Sequence, residues 1–177
     1  MTNNAVFNNE KNPLSMLINN AYTSPAIIAP PEENAAVNGR LFIVTSGSSS
    51  IGAANNQLIQ ITNPSGSGRS LYISSISGGI SAAATLNLYS TGTVTGGTTP
   101  TPFNSQFGNT TASIATARVA TGTITGTPTL FMTMLLAAGV FNFTFTGAII
   151  VPPNRAITIS VGTGVITAAT NIVWWEA

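Results

Sequence analysis

The chain is divided into short runs of β-branched, aromatic and aliphatic residues, and none of these runs is long enough for a confident helix. Clusters of Gly, Ser, Asn and Pro separate the runs, as at residues 63–66, 96–97 and 152–154. Nine strands are predicted in this way, at residues 41–44, 58–61, 71–76, 85–89, 113–120, 130–136, 140–146, 156–161 and 171–175. Such a pattern predicts an all-β fold, an antiparallel jelly roll or β-sandwich of about eight strands with an extended N-terminal arm.

The clearest single strand covers residues 141–146, where Phe141, Phe143 and Phe145 alternate with Asn and Thr. Alternation with period two places the three rings on one face, and we expect that face to point into the sandwich. Residues 132–138 could form a helical turn instead of a strand, which would not change the fold class.

Composition changes near residue 39, and four of the ten prolines and two short apolar runs, at residues 14–18 and 26–29, come before it. Proline fixes φ and removes a hydrogen-bond donor, so residues 1–38 are predicted to form an extended arm and not a helix. Residues 39–177 are predicted to form one β-sandwich (jelly-roll) domain. Three Glu and one Lys give the first 39 residues a charge of −2, and four Arg and one Glu give the remainder +3, which weakly favours docking of the arm on a body.

Only nine of the 177 residues are charged, and the chain has no His, Cys or Asp. Acid–base catalysis, nucleophilic catalysis and metal binding rely on these residue types, so we expect no enzyme, no metal site and no cofactor. The five cations are spread along the chain, whereas a nucleic-acid surface needs a cluster. A Thr-, Ser- and Asn-rich surface can pack against copies of itself without desolvating ions, which favours self-association.

The N-terminal residues 1–12 are polar and lack the apolar core of a signal peptide, and no run reaches the roughly 18 apolar residues of a membrane span. The sequence therefore predicts a protein made in the cytoplasm without a signal peptide and without membrane insertion. Its composition suits an extracellular surface structure, on a spore or in a virion, that is released when the producing cell lyses.

Three further features have a structural explanation beside a functional one. Glu32 and Glu33 follow two prolines, and neighbours in an extended chain point opposite ways, so a solvated arm or a salt link to another copy is favoured over a catalytic pair. Residues 66–69 resemble a phosphate loop but precede a strand, so a hairpin turn is favoured. Of Trp174 and Trp175, one is expected in the core and the other at solvent, the arm or a neighbouring subunit, with a sugar-stacking platform as the alternative.

A resemblance to known proteins rests on residues 61–73, on Ile149-Ile150-Val151-Pro152-Pro153-Asn154 and on the closing Val173-Trp174-Trp175-Glu176. These stretches resemble small β-rich proteins of spore-forming bacteria and their phages. With its Thr-, Gly- and Ala-rich strands and its arm, the chain also resembles the subunits of bacterial endospore appendages. That resemblance implies a jelly-roll subunit whose residues 1–38 join copies into a fibre. The best-known appendage subunits cross-link through cysteines in this connector, and this chain has none, so its joint would be non-covalent.

Donor-strand insertion is the natural non-covalent joint, in which an apolar segment of the arm pairs with an exposed sheet edge of the next copy. A head-to-tail joint gives a filament, so the predicted function is a self-assembling structural subunit of an extracellular bacterial fibre. The predicted interface residues are Leu14, Met16, Leu17, Ile18, Tyr22, Ile27, Ile28, Glu32 and Glu33 of the arm, and Arg40, Phe103, Phe107 and Trp175 of the body.

The residue pattern leaves two other functions open. One is a phage virion protein, such as a capsid decoration or head-fibre subunit, in which the arm anchors to the shell. The other is a carbohydrate-binding module that uses Trp175 and the long connection at residues 90–108, which is a candidate contact loop because of its length. In the fibre and virion interpretations the partner is the chain itself, with an anchoring protein on a spore surface or capsid as a further candidate.

Overall fold

A computed structural model describes residues 8–9, 12–13, 30–162 and 164–177. Two short strands, β1 (Asn8–Asn9) and β2 (Asn12–Pro13), pair antiparallel. Helix α1 (Pro31–Val37) follows, and eleven strands occupy the rest of the described residues. These strands are β3 (Leu41–Thr45), β4 (Ser49–Ile51), β5 (Asn56–Asn63), β6 (Leu71–Ile80), β7 (Ala84–Tyr89), β8 (Phe103–Asn104), β9 (Thr116–Gly122), β10 (Leu130–Leu136), β11 (Gly139–Val151), β12 (Arg155–Gly162) and β13 (Ile166–Glu176).

Because residues 31–37 form helix α1, the prediction of an extended arm is wrong for this part of the chain. Pro31 lies in the first turn, where its missing N–H costs no hydrogen bond, and Glu32 and Glu33 lie beside it, where negative charge interacts favourably with the helix dipole. The chain leaves the helix through Gly39, whose φ of +65° favours glycine. The helix contacts β3 and β13 and so packs onto the body. No helix among the described residues has the length and apolar character needed to cross a membrane.

The strands from β3 onward form two antiparallel sheets. Sheet 1 has the order β11-β6-β13-β3-β8, with β4 beside β13, and sheet 2 has the order β10-β7-β12-β5-β9. The pairing is nested: β3 pairs with β13, β5 with β12, β6 with β11 and β7 with β10. These eight strands therefore pair like the two arms of one long hairpin. The first strand, β3, lies beside the last, β13, and the two middle strands, β7 and β10, lie beside each other.

The inward faces of the two sheets share one apolar core. Ile73, Ile76 and Ile172 of sheet 1 and Leu86 and Leu88 of sheet 2 are all fully buried in a single cluster. Burial of a side chain of this size stabilises the fold by roughly 1.5–3 kcal/mol. The two sheets and their common core confirm the predicted all-β sandwich.

Each of the nine predicted strands overlaps an observed one. The alternative of a helical turn at residues 132–138 is wrong, since strand β10 continues to Leu136. Phe141, Phe143 and Phe145 pack against the core, as their alternation predicted. The hairpin turn predicted at residues 66–69 is also wrong, because the strands that it joins, β5 and β6, lie in different sheets.

The long connection that follows β7 is packed on the body over its first half. Gln60 Nε2 donates a hydrogen bond of 3.0 Å to the carbonyl of Gly92, Val94 is buried, and Thr98 exchanges backbone hydrogen bonds with Val119 of β9. The chain then crosses to sheet 1, where β8 pairs with β3. The connection thus covers part of the outer face of sheet 2 and contacts the border strand β9.

Candidate assembly interface

Four strands lie at the borders of the two sheets, and they differ in how much edge they present. Strand β8 has two residues, and the backbone of β9 is engaged by Thr98. By contrast β10 has seven residues and β11 thirteen, and neither has a partner strand on its outer edge within the described part of the chain. Only residues 137–138 separate these two strands. Both long edges therefore run along one side of the sandwich, which we call the β10–β11 side.

The β10–β11 side has neither charge nor proline in its two strands. Residues 130–151 contain no Lys, Arg, Glu or Pro. Sheet edges are usually protected against pairing with other chains by charged side chains, proline, bulges or short length. Here the protection is limited to irregularities, between Leu130 and Met132 in β10 and between Thr144 and Ile149 in β11. The regular stretches 132–136 and 139–144 remain able to accept another strand.

The core is incomplete along this same side. Leu86 and Leu88 of the neighbouring strand β7 have no exposed surface. Leu136 of β10 and Val151 of β11 are buried in the core cluster. Six other core-facing side chains of the two border strands are only partly buried, although they contact the same cluster. They are Met132 and Met134 of β10 and Phe141, Phe143, Phe145 and Ile149 of β11. A further apolar strand placed here would complete the burial of these side chains.

Outward-facing side chains add to the apolar character of the β10–β11 side. Leu135 is 86% exposed and Val140 is 94% exposed, and Leu130, Phe131 and Ile150 are also exposed. These five account for more than half of the nine large exposed hydrophobic side chains among the described residues. Single exposed apolar residues are ordinary, but a concentration of them along one border is typical of an interaction surface.

A cavity of about 350 Å³ lies where β10 begins and β11 ends. Its lining is mostly apolar and includes Phe131, Ile149, Ile150 and Pro152, with Arg155 as the charged residue in its wall. A cavity of this size accepts one or two apolar side chains and offers few polar groups for orienting a small ligand.

Seven of the interface residues predicted for the arm lie outside the described residues: Leu14, Met16, Leu17, Ile18, Tyr22, Ile27 and Ile28. The other two, Glu32 and Glu33, lie in the first turn of α1. The helix places them beside the body and not on an extended chain.

Three of the residues predicted for the body interface, Arg40, Phe103 and Phe107, do not lie on the β10–β11 side. Arg40 is exposed next to the start of β3, and Phe103 pairs across from Ile43 at the β8 border of sheet 1. Phe103 and Phe107 are exposed and contact each other edge to face, with ring centroids 5.5 Å apart. The structure therefore brings these three residues toward the border of sheet 1 opposite β11.

Trp175 is covered within its own chain. Its ring stacks on Tyr72 with centroids 5.5 Å apart and 7° between the planes, and only 7% of its surface is exposed. Trp174 is fully buried in the core, so the expectation of one core tryptophan is confirmed. Trp175 does not present its ring at the surface, and it offers no platform for stacking a sugar ring.

Two of the four arginines contact groups of their own chain. Arg69 Nη1 lies 3.6 Å from Glu176 Oε2, and Arg118 Nη1 donates a hydrogen bond of 2.9 Å to the carbonyl of Gly96. The buried carboxylate of Glu176 also accepts hydrogen bonds from the hydroxyl of Ser113 and the backbone N–H of Ile114. Glu176 therefore ties the end of β13 to the segment that leads into β9, and its role is structural.

The sequence did not single out the β10–β11 side as a site, although one signal was present. Residues 130–151 are free of charge and proline, as are residues 41–63 and 70–99, and they have large apolar residues on both strand faces. In a central strand such a stretch would only indicate burial. In border strands, such as β10 and β11, the same stretch indicates an edge that can bind another strand.

The chain matches no model of a known protein family, no curated protein and no solved structure. The resemblance to endospore appendage subunits thus stays a prediction from sequence.

Proposed function

We propose that the protein is a self-assembling structural subunit of an extracellular bacterial fibre, similar to a spore appendage, that polymerises without covalent bonds. The N-terminal segment, residues 1–29, acts as the donor that each copy inserts into the next. The role is structural and not catalytic. The single observation that carries the proposal is the pair of long, uncharged border strands on the β10–β11 side, with a partly exposed core behind them.

A fibre needs a surface that tolerates permanent burial, and the β10–β11 side has that chemistry. Its backbone N–H and C=O groups can pair with an added strand, and its side chains carry no charge that would need desolvation. Burying about five or six apolar side chains, at roughly 1.5–3 kcal/mol each, contributes about 10 kcal/mol before the cost of ordering the segment. This is sufficient for stable association without disulfides.

The finer fold assignment within this proposal is a jelly roll. It is supported by the nested pairing of β3 with β13, β5 with β12, β6 with β11 and β7 with β10, divided between two facing sheets. Jelly rolls of eight strands and two Greek keys occur in viral capsid proteins and in lectins. In this proposal β4, β8 and β9 are additions to that framework.

The N-terminal segment suits the donor role by composition. Its run at residues 14–18 has four apolar residues out of five and no charge, and a second apolar run follows at residues 26–29. A head-to-tail joint of this type does not close on itself, so repeated joining gives an open filament. The low charge of the body leaves little repulsion between successive copies.

Negative-stain electron microscopy of the full-length protein beside a variant lacking residues 1–29 tests the proposal. The deletion ends before Pro30, because α1 packs against β3 and β13 and belongs to the body. We expect fibres from the full-length protein and discrete particles from the variant. A second variant keeps the length of the segment but replaces Leu14, Met16 and Ile18 with Ser, and it is also expected to form no fibres.

Circular dichroism shows whether the variants retain the β-rich fold, which a donor role requires. Identical fibres from the deletion variant would contradict the role of the N-terminal segment. Compact oligomers from both the full-length protein and the variant would contradict a filament, and binding to phage capsids would then be measured.

A further inference from the structure

We propose that the acceptor site of this assembly is the outer edge of β10, where residues 14–18 of another copy add as a strand. This inference deepens the proposed function and rests on it. It specifies which sheet edge accepts the donor and which face of the donor strand points to the core, and the sequence indicates neither. Two other candidates are weaker: the apolar cavity at the end of β11 is too short for a strand, and the Phe103–Phe107 pair lies beside a border strand of only two residues.

Strand β10 is favoured over β11 because its free edge is more regular. The interruption of β10, between Leu130 and Met132, lies at the start of the strand and leaves residues 132–136 continuous, whereas that of β11, between Thr144 and Ile149, divides the strand. Thr146 and Gly147 in that interruption have φ values of 49° and 83°, outside the extended conformation that a strand edge needs. The regular stretch of β10 has five residues, the same length as the apolar run at residues 14–18.

The side chains of the two segments are complementary face by face. In an extended donor, Leu14, Met16 and Ile18 point to one side and Ser15 and Leu17 to the other. The core-facing side of β10 presents Met132 and Met134, which are only partly buried. Placing the three-residue face of the donor beside them extends the core of sheet 2 by one strand.

The outer face of the added strand is also matched. On that face β10 presents Thr133 and Leu135, and Leu135 is 86% exposed. Ser15 and Leu17 of the donor would lie beside these two side chains. The most exposed leucine of the described residues then gains an apolar neighbour. Neither segment carries a charge that the pairing would bury.

In the proposed filament the donor belongs to another copy, because an arm inserted into its own β10 would fill the edge and end growth. Residues 19–29 connect the donor run to the body, and eleven extended residues span at most about 40 Å. The helix that follows them lies against β3 and β13, away from the β11 border of sheet 1. A reach of that length exceeds the width of a five-stranded sheet and allows the segment to meet the edge of a neighbouring subunit.

Cysteine cross-linking between two separately purified variants tests the site, since the chain has no cysteine of its own. One protein carries Met16→Cys and the other carries Met134→Cys or Met132→Cys. The two are mixed under assembly conditions, oxidised, and run on a non-reducing gel. A disulfide requires Cα atoms within about 7 Å, so we expect at least about tenfold more mixed dimer than with a distant control. The control is Val165→Cys, an exposed apolar position in the turn before β13.

A matched control on the same strand is Thr133→Cys, whose side chain points to the opposite face from Met134 and is expected to cross-link poorly with Met16→Cys. A double variant, Met16→Cys with Met134→Cys, reports on insertion into the same chain. If it closes into a fast-migrating monomer while the mixed proteins give no dimer, the proposal of a second copy as donor is wrong.

Fibres that form without any cross-link to Met132 or Met134 would overturn β10 as the acceptor and leave the proposed function standing. Absence of fibres from the full-length protein, with no mixed dimer, would overturn both. Tryptophan fluorescence of each variant, compared with that of the unmodified protein, shows that the fold is intact.

Discussion

In the irregular part of β11, Gly147 lies against the ring of Trp175 from strand β13, and this contact restricts which residue can occupy position 147. A Cβ built on Gly147 would lie 2.3 Å from Cη2 of Trp175, and the residue has a φ of 83°. The position therefore combines two requirements for glycine, one from the backbone and one from the ring above it. Trp175 is in turn held by its stacking on Tyr72.

We expect Gly147→Ala to destabilise the protein by more than the left-handed conformation alone would cost, which is about 1–2 kcal/mol. The added loss comes from displacement of the Trp175 ring. Urea unfolding followed by tryptophan fluorescence measures the change. The matched control is Gly108→Ala, because Gly108 has the same φ of 83° and nothing within 4 Å of its built Cβ. Equal losses in the two variants would show that the ring contact contributes nothing.

At the scale of secondary-structure elements, the nine strands were predictable because each is a β-branched or aromatic run between turn residues. Strands β4 and β8 were not predicted, since three and two residues give too little pattern. Helix α1 is not predicted because the two prolines at residues 30 and 31 favour an extended chain. The second of them, Pro31, begins the helix, and the acids after it are a helix-start signal.

The proposed acceptor edge could not be predicted from the sequence for a different reason. Whether β10 is a border strand depends on pairing between residues far apart in the chain, such as Met134 with Leu86 and Leu88 with Ile159. The local pattern of β10 is the same whether it lies at a border or in the centre. The donor run at residues 14–18 is different, because its apolar residues lie isolated in a polar segment and stand out locally.

The element-scale prediction concerns a charge on β10. We expect Met134→Lys to prevent fibre formation, because an inward-pointing charge on a border strand opposes the addition of another strand. The monomer should remain folded at a cost of about 1–2 kcal/mol, since Met134 is only partly buried and a lysine can extend its amine to solvent. Electron microscopy and circular dichroism measure the two effects.

The control for this charge is Val165→Lys, which adds the same group at a position that is 79% exposed and away from β10 and β11. We expect it to form fibres like the unmodified protein. Loss of fibres in both variants would mean that an added charge prevents assembly wherever it is placed. The proposal that β10 is the acceptor edge would then be rejected.

At the scale of the whole molecule, the low charge and the unprotected β10–β11 side both favour association between copies. Because only nine of the 177 residues are charged, copies of the chain repel each other weakly. More than half of the large exposed hydrophobic side chains among the described residues lie on the β10–β11 side. A monomer that had to stay dispersed would need charges on that side. In the proposed fibre, the folding and the assembly of the subunit would both depend on apolar burial and strand pairing.

Assembly through such a side should depend little on simple salt. Between about 0.02 and 0.5 M NaCl, a change that greatly shortens the screening length, we expect the lowest protein concentration that gives fibres to change by less than about twofold. Ammonium sulfate should lower that concentration, because it strengthens apolar burial. Sedimentation of fibres over a protein dilution series measures both. A steep rise with NaCl would instead indicate an ion-paired joint, for which Glu32 and Glu33 with an arginine of the next copy are the available groups.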